Sequence, residues 1–272
     1  LGRPYAVLEI ACNDGSQLDK FKALGWETYG VDPAANIVPK AVEKGHKVEV
    51  GFWGIGKYDH LPPPEHLDVI LAQNVFAHVP KPVEFLKACK DVMGDDTNLY
   101  IQTSQCQMHQ DGQFDTAYHE HISFFTGHSF QRAAELAGLH ITNFEITPIH
   151  GDSCFVSFKK KGHDAMPTSD GLQRRLDAEV GEGMTTDFFY SKYGERARFT
   201  RDWINKQLVG LQNSGYTLGA YGAAAKGMVL LHFLSNVPSK RWKISFVVDD
   251  APMKQGKYCP GTDIPVLSTK SL

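Results

Sequence analysis

The chain has 272 residues, 42% of them hydrophobic and 22% charged, with a formal net charge of -3. That length accommodates one large α/β domain or two smaller ones, and the small charge offers no electrostatic footprint for nucleic acid or an anionic membrane. No apolar run reaches the length of a bilayer span, no signal peptide is visible, and the five scattered cysteines include no Cys-x-x-Cys pair. A cytoplasmic protein with free thiols and no metal is therefore expected. The chain begins at Leu1 without a methionine, so further features are expected upstream.

Tyr5 to Ile10 is an apolar run that predicts a buried strand leading into Ala11-Cys12-Asn13-Asp14-Gly15. Leu18, Phe21 and Leu24 recur at near-helical spacing up to Gly25, and Trp26 to Val31 predicts a second strand followed by Asp32-Pro33. A strand, a tight turn, a helix and a strand with an acid at its carboxyl end make a nucleoside-binding layout. A carboxylate roughly 20 residues past the turn accepts there from ribose hydroxyls. Only Gly15 is present where a dinucleotide fingerprint needs three glycines, which disfavours a pyrophosphate and a nicotinamide dehydrogenase. An adenosine without phosphates fits better, and S-adenosylmethionine is the expected cofactor. Its expected ligands are Glu9, Ala11, Asn13, Asp14, Gly15, Asp32 and Pro33.

His46 to Phe52 predicts strand three, and Leu67 to Gln73 predicts strand four, near-continuously apolar as in a sheet buried on both faces. Asn74-Val75-Phe76-Ala77-His78-Val79-Pro80 follows its carboxyl end, which adds Gln73 and Asn74 to the expected cofactor ligands. A helix is expected over Glu84 to Met93, a fifth strand over Asn98 to Thr103, and a helix over Ser129 to Leu136 stopped by Gly138. Two further strands, Ile141 to Ile149 and Cys154 to Phe158, are joined by His150-Gly151-Asp152-Ser153. Ligands of open α/β sheets bind outside the carboxyl ends of the strands. Gly15, Asp32, Asn74, His78 and the stretch Tyr118-His119-Glu120-His121 are accordingly expected on one rim.

That stretch sets two imidazoles around a carboxylate, with a phenol before them and the apolar Ile122-Ser123-Phe124-Phe125 after. Histidine is the side chain whose unperturbed pKa lies nearest neutrality, so it is the natural proton carrier at working pH. A polar loop that merely holds two histidines is the plainer alternative.

Gly162 to Asp170 reads as a linker, and a long helical pattern through Leu172, Leu176, Phe188, Tyr190, Phe199, Trp203 and Leu208 follows, with a break around Gly181 to Met184. Leu218 to Tyr221, the turn Gly222-Ala223-Ala224-Ala225-Lys226-Gly227 and an apolar helix through Leu231 lead to a strand, Ile244 to Val248, that ends in Asp249-Asp250. This repeats the strand-turn-helix-strand-acid layout. Small residues at the turn permit close backbone approach to a ligand, and Lys226 adds a point charge. The two readings are a phosphate site and a second Rossmann-like half that packs on the first.

Taken together, Glu9-Ile-Ala-Cys-Asn-Asp-Gly15, Gly30-Val-Asp-Pro-Ala34, Ala77-His-Val-Pro80, Tyr118-His-Glu-His121, His150-Gly-Asp-Ser153, Tyr221-Gly-Ala-Ala-Ala-Lys-Gly227, Val248-Asp-Asp250, Lys254-Gln-Gly256 and Pro260-Gly261 resemble the sugar C-methyltransferases that act on nucleotide-linked 4-keto deoxysugars. The resemblance covers essentially the whole chain. It implies an α/β fold, with a Rossmann-like class I methyltransferase domain over 1–162, a linker and helical segment over 163–214, and a smaller Rossmann-like domain over 215–272, expected to be clipped at its end. It further implies a histidine equivalent to His121 as base, with Tyr118, Glu120 and His78 around the sugar. His150, Gly222 and Lys226 are the expected substrate contacts, His150 against a plain loop role. The N-terminal zinc-binding domain usual in that family, built on paired cysteines, is not expected within these 272 residues. Ala11 stands where glycine is commoner and is expected to be tolerated at negative φ, and Asp152 also replaces a usual glycine.

Carbon methylation requires a carbanion equivalent, which a ketone beside the reacting carbon provides once its α-proton is removed. Such a site needs a base near neutral pKa, donors for the enolate oxygen and in-line placement of the methyl group. His121 is the expected base, Tyr118 and His78 are candidate donors, and Glu120 orients an imidazole or holds a sugar hydroxyl. The rival readings are an O- or N-methyltransferase of a small metabolite and a non-catalytic S-adenosylmethionine- or nucleotide-binding module. The expected partner is a small molecule, neither nucleic acid nor membrane, and the protein is expected as a monomer or a dimer.

Overall fold

The computed structural model describes residues 3–55, 58–104, 107–149, 151–162, 167–237 and 241–271. Strand and helix alternate from the start. β1 (Ala6–Ile10) is buried at all five positions, as a central parallel strand covered on both faces requires. α1 (Leu18–Ala23), β2 (Glu27–Asp32), α2 (Val38–Glu43), β3 (Lys47–Val50), β4 (Val69–Gln73), α3 (Pro82–Val92) and β5 (Asn98–Thr103) follow. α3 starts with proline in its first turn, where a missing N–H removes no helical bond. α4 (Met108–Asp111) is a single turn. α5 (Gly127–Ala137) opens on a reciprocal Thr126–Ser129 capping box and ends at Gly138, whose φ of +72° is the left-handed helix stop. β6 (Leu139–Thr147) and β7 (Ser153–Lys160) form an antiparallel pair.

The strand order β3-β2-β1-β4-β5-β7-β6 is parallel from β3 to β5, and β7 pairs antiparallel with β5. This is the Rossmann-like class I methyltransferase topology expected from the sequence. The order reverses between β1 and β4, so the turns after these two strands flank a crevice at the carboxyl end of the sheet. Leu8, Ile10, Ile70, Leu99, Ile101, Phe76, Phe130 and Phe158 fill the larger core.

The expected linker and helical segment contains α6 (Asp170–Gly181) and α7 (Asp187–Asn213), and the predicted break falls between them. The chain divides into two compact units, Leu1–Gln107 with Glu120–Thr185, and Met108–His119 with Thr186–Leu272. α6 belongs to the first unit, where Leu172, Arg175, Leu176 and Glu179 make one buried stripe at i, i+3, i+4 and i+7. α7 belongs to the second. Here β8 (Leu218–Tyr221), α8 (Ala225–Ser235), β9 (Ile244–Val248) and β10 (Val266–Leu267) build a parallel sheet of order β10-β9-β8. Its core joins Leu218, Leu231, Trp242, Ile244 and Val247, with Ile204, Leu208 and Val209 of α7 packed against it. Arg196 of α7 donates to the main-chain oxygens of His109 and Gln110, and Phe114 meets Phe233 at 4.8 Å, which attach α4 and its neighbours to this unit. Among the described residues no helix is long and apolar enough to cross a membrane.

Candidate active site

The turn after β1 is built around Asp32. Its Oδ2 accepts from the Asn13 N–H at 2.9 Å and its Oδ1 from the Ala34 N–H at 2.8 Å, while the Ala11 N–H donates to the Val31 carbonyl. Each oxygen keeps a lone-pair direction beyond these bonds. Gly15 is buried, and a Cβ on it would lie 2.7 Å from the His46 ring, so nothing larger than glycine fits. That ring is fixed between Thr28 and Asp19.

Ala11 departs from expectation. Its φ is +61°, not negative, and Asn13 at +53° and Asn74 at +54° share the left-handed region. The backbone must curl back under the strand ends to present its N–H groups to Val31 and Asp32, and that path requires positive φ. Asparagine tolerates it, whereas alanine holds it at a cost of about 1 kcal/mol or more.

A cavity of about 610 Å³ opens over this turn, a size suited to a small-molecule cofactor. Ala11, Asp32, Pro33, Asn74 and His78 line it, as does the loop after β3, Gly51-Phe52-Trp53-Gly54-Ile55. Trp53 stacks on Tyr58 with ring centroids 4.5 Å apart, which stiffens that loop. This aromatic wall, with Val79, Pro80, Lys81 and Glu84, lines the cavity beyond the cofactor ligands expected from the sequence. The signal was the pair of aromatics immediately beyond a strand end. Glu9, Asn13, Asp14, Gly15 and Gln73 stand in or beside the turns without lining the cavity. Glu9 is buried on β1, and its carboxyl is pushed up to about 8, first by burial and then by repulsion from Asp32 and Asp14.

The second cluster lies beyond β4. Phe76, Ala77 and His78 form a single 3-10 turn. The Ala77 carbonyl accepts from the N–H groups of Ile122 and Ser123, and Ser123 Oγ donates to the Val79 carbonyl. His78 Nδ1 lies 2.8 Å from the Glu120 carbonyl oxygen. A carbonyl only accepts, so Nδ1 carries the proton and the neutral ring keeps its lone pair on Nε2. His121 is buried at 9% exposure, with its ring 5.0 Å from that of His78. Phe125 stacks on Phe76 at 4.5 Å and meets Phe130 at a tilt, 4.9 Å away, anchoring the apolar end of the stretch in the core.

Of the four residues expected around the reacting centre, the structure thus brings together His78, His121 and the main chain of Glu120. The Glu120 residue itself is exposed. Tyr118 belongs to the second unit, where its ring neighbours that of His119. His150 lies outside the described residues. Asp152, where glycine was noted as usual, has φ +64°.

In the second unit the turn after β8 repeats the first turn's chemistry. Gly222, at φ +93°, donates to the Val248 carbonyl; Asp249 accepts from the Ala223 N–H at 2.7 Å and the Ala251 N–H at 2.8 Å. Asp249 has a further partner in Lys254, 3.0 Å away. The Ala251 N–H, then Lys254, hold its carboxylate below the usual range. Lys226 is the second residue of α8. No group of three or more potential metal ligands occurs among the described residues.

A family model described as a methyltransferase domain matches residues 1–143, and one described as a C-methyltransferase C-terminal domain matches residues 148–272. The chain is similar to the C-methyltransferase NovU of Streptomyces niveus, with 27% identity over 266 residues, 96% of this chain and 62% of NovU. It therefore spans less than two thirds of that relative's length. A ubiquinone biosynthesis O-methyltransferase of Bradyrhizobium sp. (strain ORS 278) is 34% identical over 101 residues, 36% of this chain and 39% of that protein. Among solved structures, an S-adenosylmethionine-dependent methyltransferase from Clostridium acetobutylicum ATCC 824 is similar over 58% of this chain and 84% of its own, with a TM-score of 0.46 and 8% identity. The match over residues 1–143 takes in more than half of the sequence, and the chain belongs to the methyltransferase-domain family.

Proposed function

We propose that the protein is an S-adenosylmethionine-dependent C-methyltransferase that acts on a nucleotide-linked keto deoxysugar through an enolate, with His121 as the base. The observation that carries this reading is the pair of imidazoles, His78 and His121, meeting where His78 lines the cavity over the Asp32 turn. The similarity to the C-methyltransferase NovU along 96% of the chain supports carbon as the methyl acceptor.

The residues fit the cofactor chemically. Asp32 retains lone pairs for a ribose diol, the Phe52–Trp53 loop offers an apolar wall to an adenine, and Glu9 is a buried acid with no cation beside it among the described residues. When bound, S-adenosylmethionine supplies an electrophilic methyl group. His121 takes the proton from the carbon beside the ketone, the C–H electron pair becomes the carbon–carbon double bond of the enolate, and the carbonyl π pair moves to its oxygen. His78, its Nδ1–H committed to Glu120, keeps its ring in one orientation beside His121. Lys226 and the Gly222 turn hold the substrate's diphosphate, and Tyr118 and Glu120 contact the sugar.

The test is to incubate the protein with S-adenosylmethionine and a panel of 4-keto sugar nucleotides and to weigh the products. A gain of one methyl group on carbon supports the reading, and no methylated product from any keto sugar refutes it. The similarity to an O-methyltransferase over 36% of the chain supports a second reading. Turnover of a ketone-free acceptor would select it.

A further inference from the structure

The loop after β3 has a pliant composition. Gly51 and Gly54 bracket Phe52-Trp53, with Gly54 at φ +83°, and glycine restricts the backbone least of all residues. Phe52 and Ile55 are 66% and 74% exposed, although both line the cavity. Two backbone bonds bear on the loop, from the Gly51 N–H to the Asp32 carbonyl at 3.1 Å and from the Ile55 N–H to the Phe52 carbonyl at 3.3 Å. Tyr58 adds a clamp. Its Oη accepts from the Gly54 N–H at 2.6 Å and donates to the Phe52 carbonyl at 3.0 Å, so one hydroxyl spans the turn in both directions. Its ring stacks on that of Trp53 with 15° between the planes, and both rings pack against the larger core. Tyr58 does not itself line the cavity, whereas Phe52, Trp53 and Gly54, the residues it holds, all do.

We propose that Tyr58 is a positioning residue for the cofactor, its hydroxyl setting Phe52 to Gly54 as the wall for the adenine before the ligand arrives. This rests on the reading that S-adenosylmethionine occupies the cavity over the Asp32 turn. A loop that is already fixed spares the complex the entropy of ordering it, and the saving appears as affinity. The stack alone leaves Trp53 free to slide in the plane of the rings. The two hydrogen bonds fix the backbone on each side of it, at Phe52 and at Gly54. Phenylalanine at this position keeps the stack and loses both bonds. Water then satisfies the Gly54 N–H and the Phe52 carbonyl but holds neither in place. The loss therefore falls on the order of the loop rather than on the core. It is also the same for every ligand that carries the adenine, whatever its tail.

The experiment is isothermal titration calorimetry of S-adenosylmethionine, S-adenosylhomocysteine and 5′-methylthioadenosine into the wild-type chain, Tyr58→Phe and Asp32→Ala, with a urea denaturation of each protein alongside. Tyr58→Phe is expected to raise all three dissociation constants by one common factor, on the order of tenfold. Wild-type affinity for all three ligands overturns the proposal, as does a loss confined to the two ligands that carry the amino-acid tail. A lower denaturation midpoint with unchanged constants marks a purely structural role and overturns it too. Should Tyr58→Phe fail to fold, hydrogen exchange of the Gly54 amide in the ligand-free wild type decides. Protection supports a wall set before binding, and exchange at the rate of an open loop overturns it. A failure of the underlying site reading is distinguishable, because Asp32→Ala would then leave affinity unchanged.

Discussion

The rings of His78 and His121 meet edge to face with centroids 5.0 Å apart, and the main chain of Glu120 fixes the first of them. A base needs a defined direction as well as a suitable proton affinity, and this contact supplies direction. His121→Asn keeps much of the volume and removes the base. Its turnover number is expected to fall on the order of 10²–10⁴-fold with cofactor binding intact. Wild-type enzyme should exchange the substrate's α-proton with deuterated solvent, and the variant should not, which separates a base from a binding contact. Exchange at the wild-type rate would transfer the role to another residue.

Asp32 organises the turn after β1 through two backbone N–H groups and faces the cavity. Asp32→Ala removes both anchors and the proposed ribose acceptor. The dissociation constant for S-adenosylmethionine is expected to rise by more than tenfold, about 1.4 kcal/mol. Calorimetry measures this directly, and an unchanged constant would mean that the cofactor binds elsewhere.

Ala11 offers a test of backbone strain. At φ +61° a glycine avoids the Cβ clash, although its unfolded chain is more disordered. The net gain expected for Ala11→Gly is roughly 0.5–1 kcal/mol. Chemical denaturation should show a higher midpoint with an unchanged slope. A lower midpoint would falsify the assignment of strain to this turn.

Glu179 joins α6 to the start of α5. Its carboxylate accepts from the Gly127 and His128 N–H groups at 2.6 and 3.1 Å, from His128 Nδ1 at 2.7 Å and from Arg175 Nε at 2.6 Å. Burial pushes this carboxyl up, but His128, the Gly127 N–H and Arg175 outweigh it and hold it below the usual range. A depressed carboxyl contributes stability that is complete above its unfolded value and is lost as pH falls through the folded one. Wild-type stability should therefore drop in acid below the usual carboxylate range, and this part of the drop should vanish in Glu179→Gln. That substitution leaves Arg175 buried without its counter-charge and is expected to cost about 3 kcal/mol at pH 7. Urea titrations at several pH values measure both effects.

Lys226→Ala addresses the second unit. The expected outcome is a higher KM for the sugar nucleotide with S-adenosylmethionine binding unaltered. If both constants move, or neither does, Lys226 is no diphosphate contact.

Most of the first sheet was legible because its strands are apolar runs bounded by turn residues; Asn98–Thr103 and Ile244–Val248 fall where the periodicity puts them. The short elements were not. α2 offers only six residues with Pro39 in its first turn, and β10 has two residues, too few for any period to register. The turn that holds Gly15 and the acid Asp32 at the end of β2 were legible from their spacing, and Asp32 lines the cavity. The positive φ of Ala11 was not, since left-handed backbone is announced by glycine or asparagine and alanine hides it. The Phe52–Trp53 wall was missed because an aromatic beyond a strand end looks the same whether it packs in a core or lines a cavity. The division of α6 from α7 between two units depends on tertiary packing that a shared helical pattern cannot reveal.

The segment Met108–His119 belongs to the second unit although both its flanks belong to the first. The chain therefore passes between the units three times, at 107/108, 119/120 and 185/186. During synthesis on the ribosome this piece emerges well before Arg196 and Phe233, the residues that hold it. Its contacts with Arg196 and Phe233 form only once those residues have been made. Expression of residues 1–185 alone would remove Arg196 and Phe233 from it, so any effort to produce the first unit by itself has to deal with 108–119 as well as stop at 185.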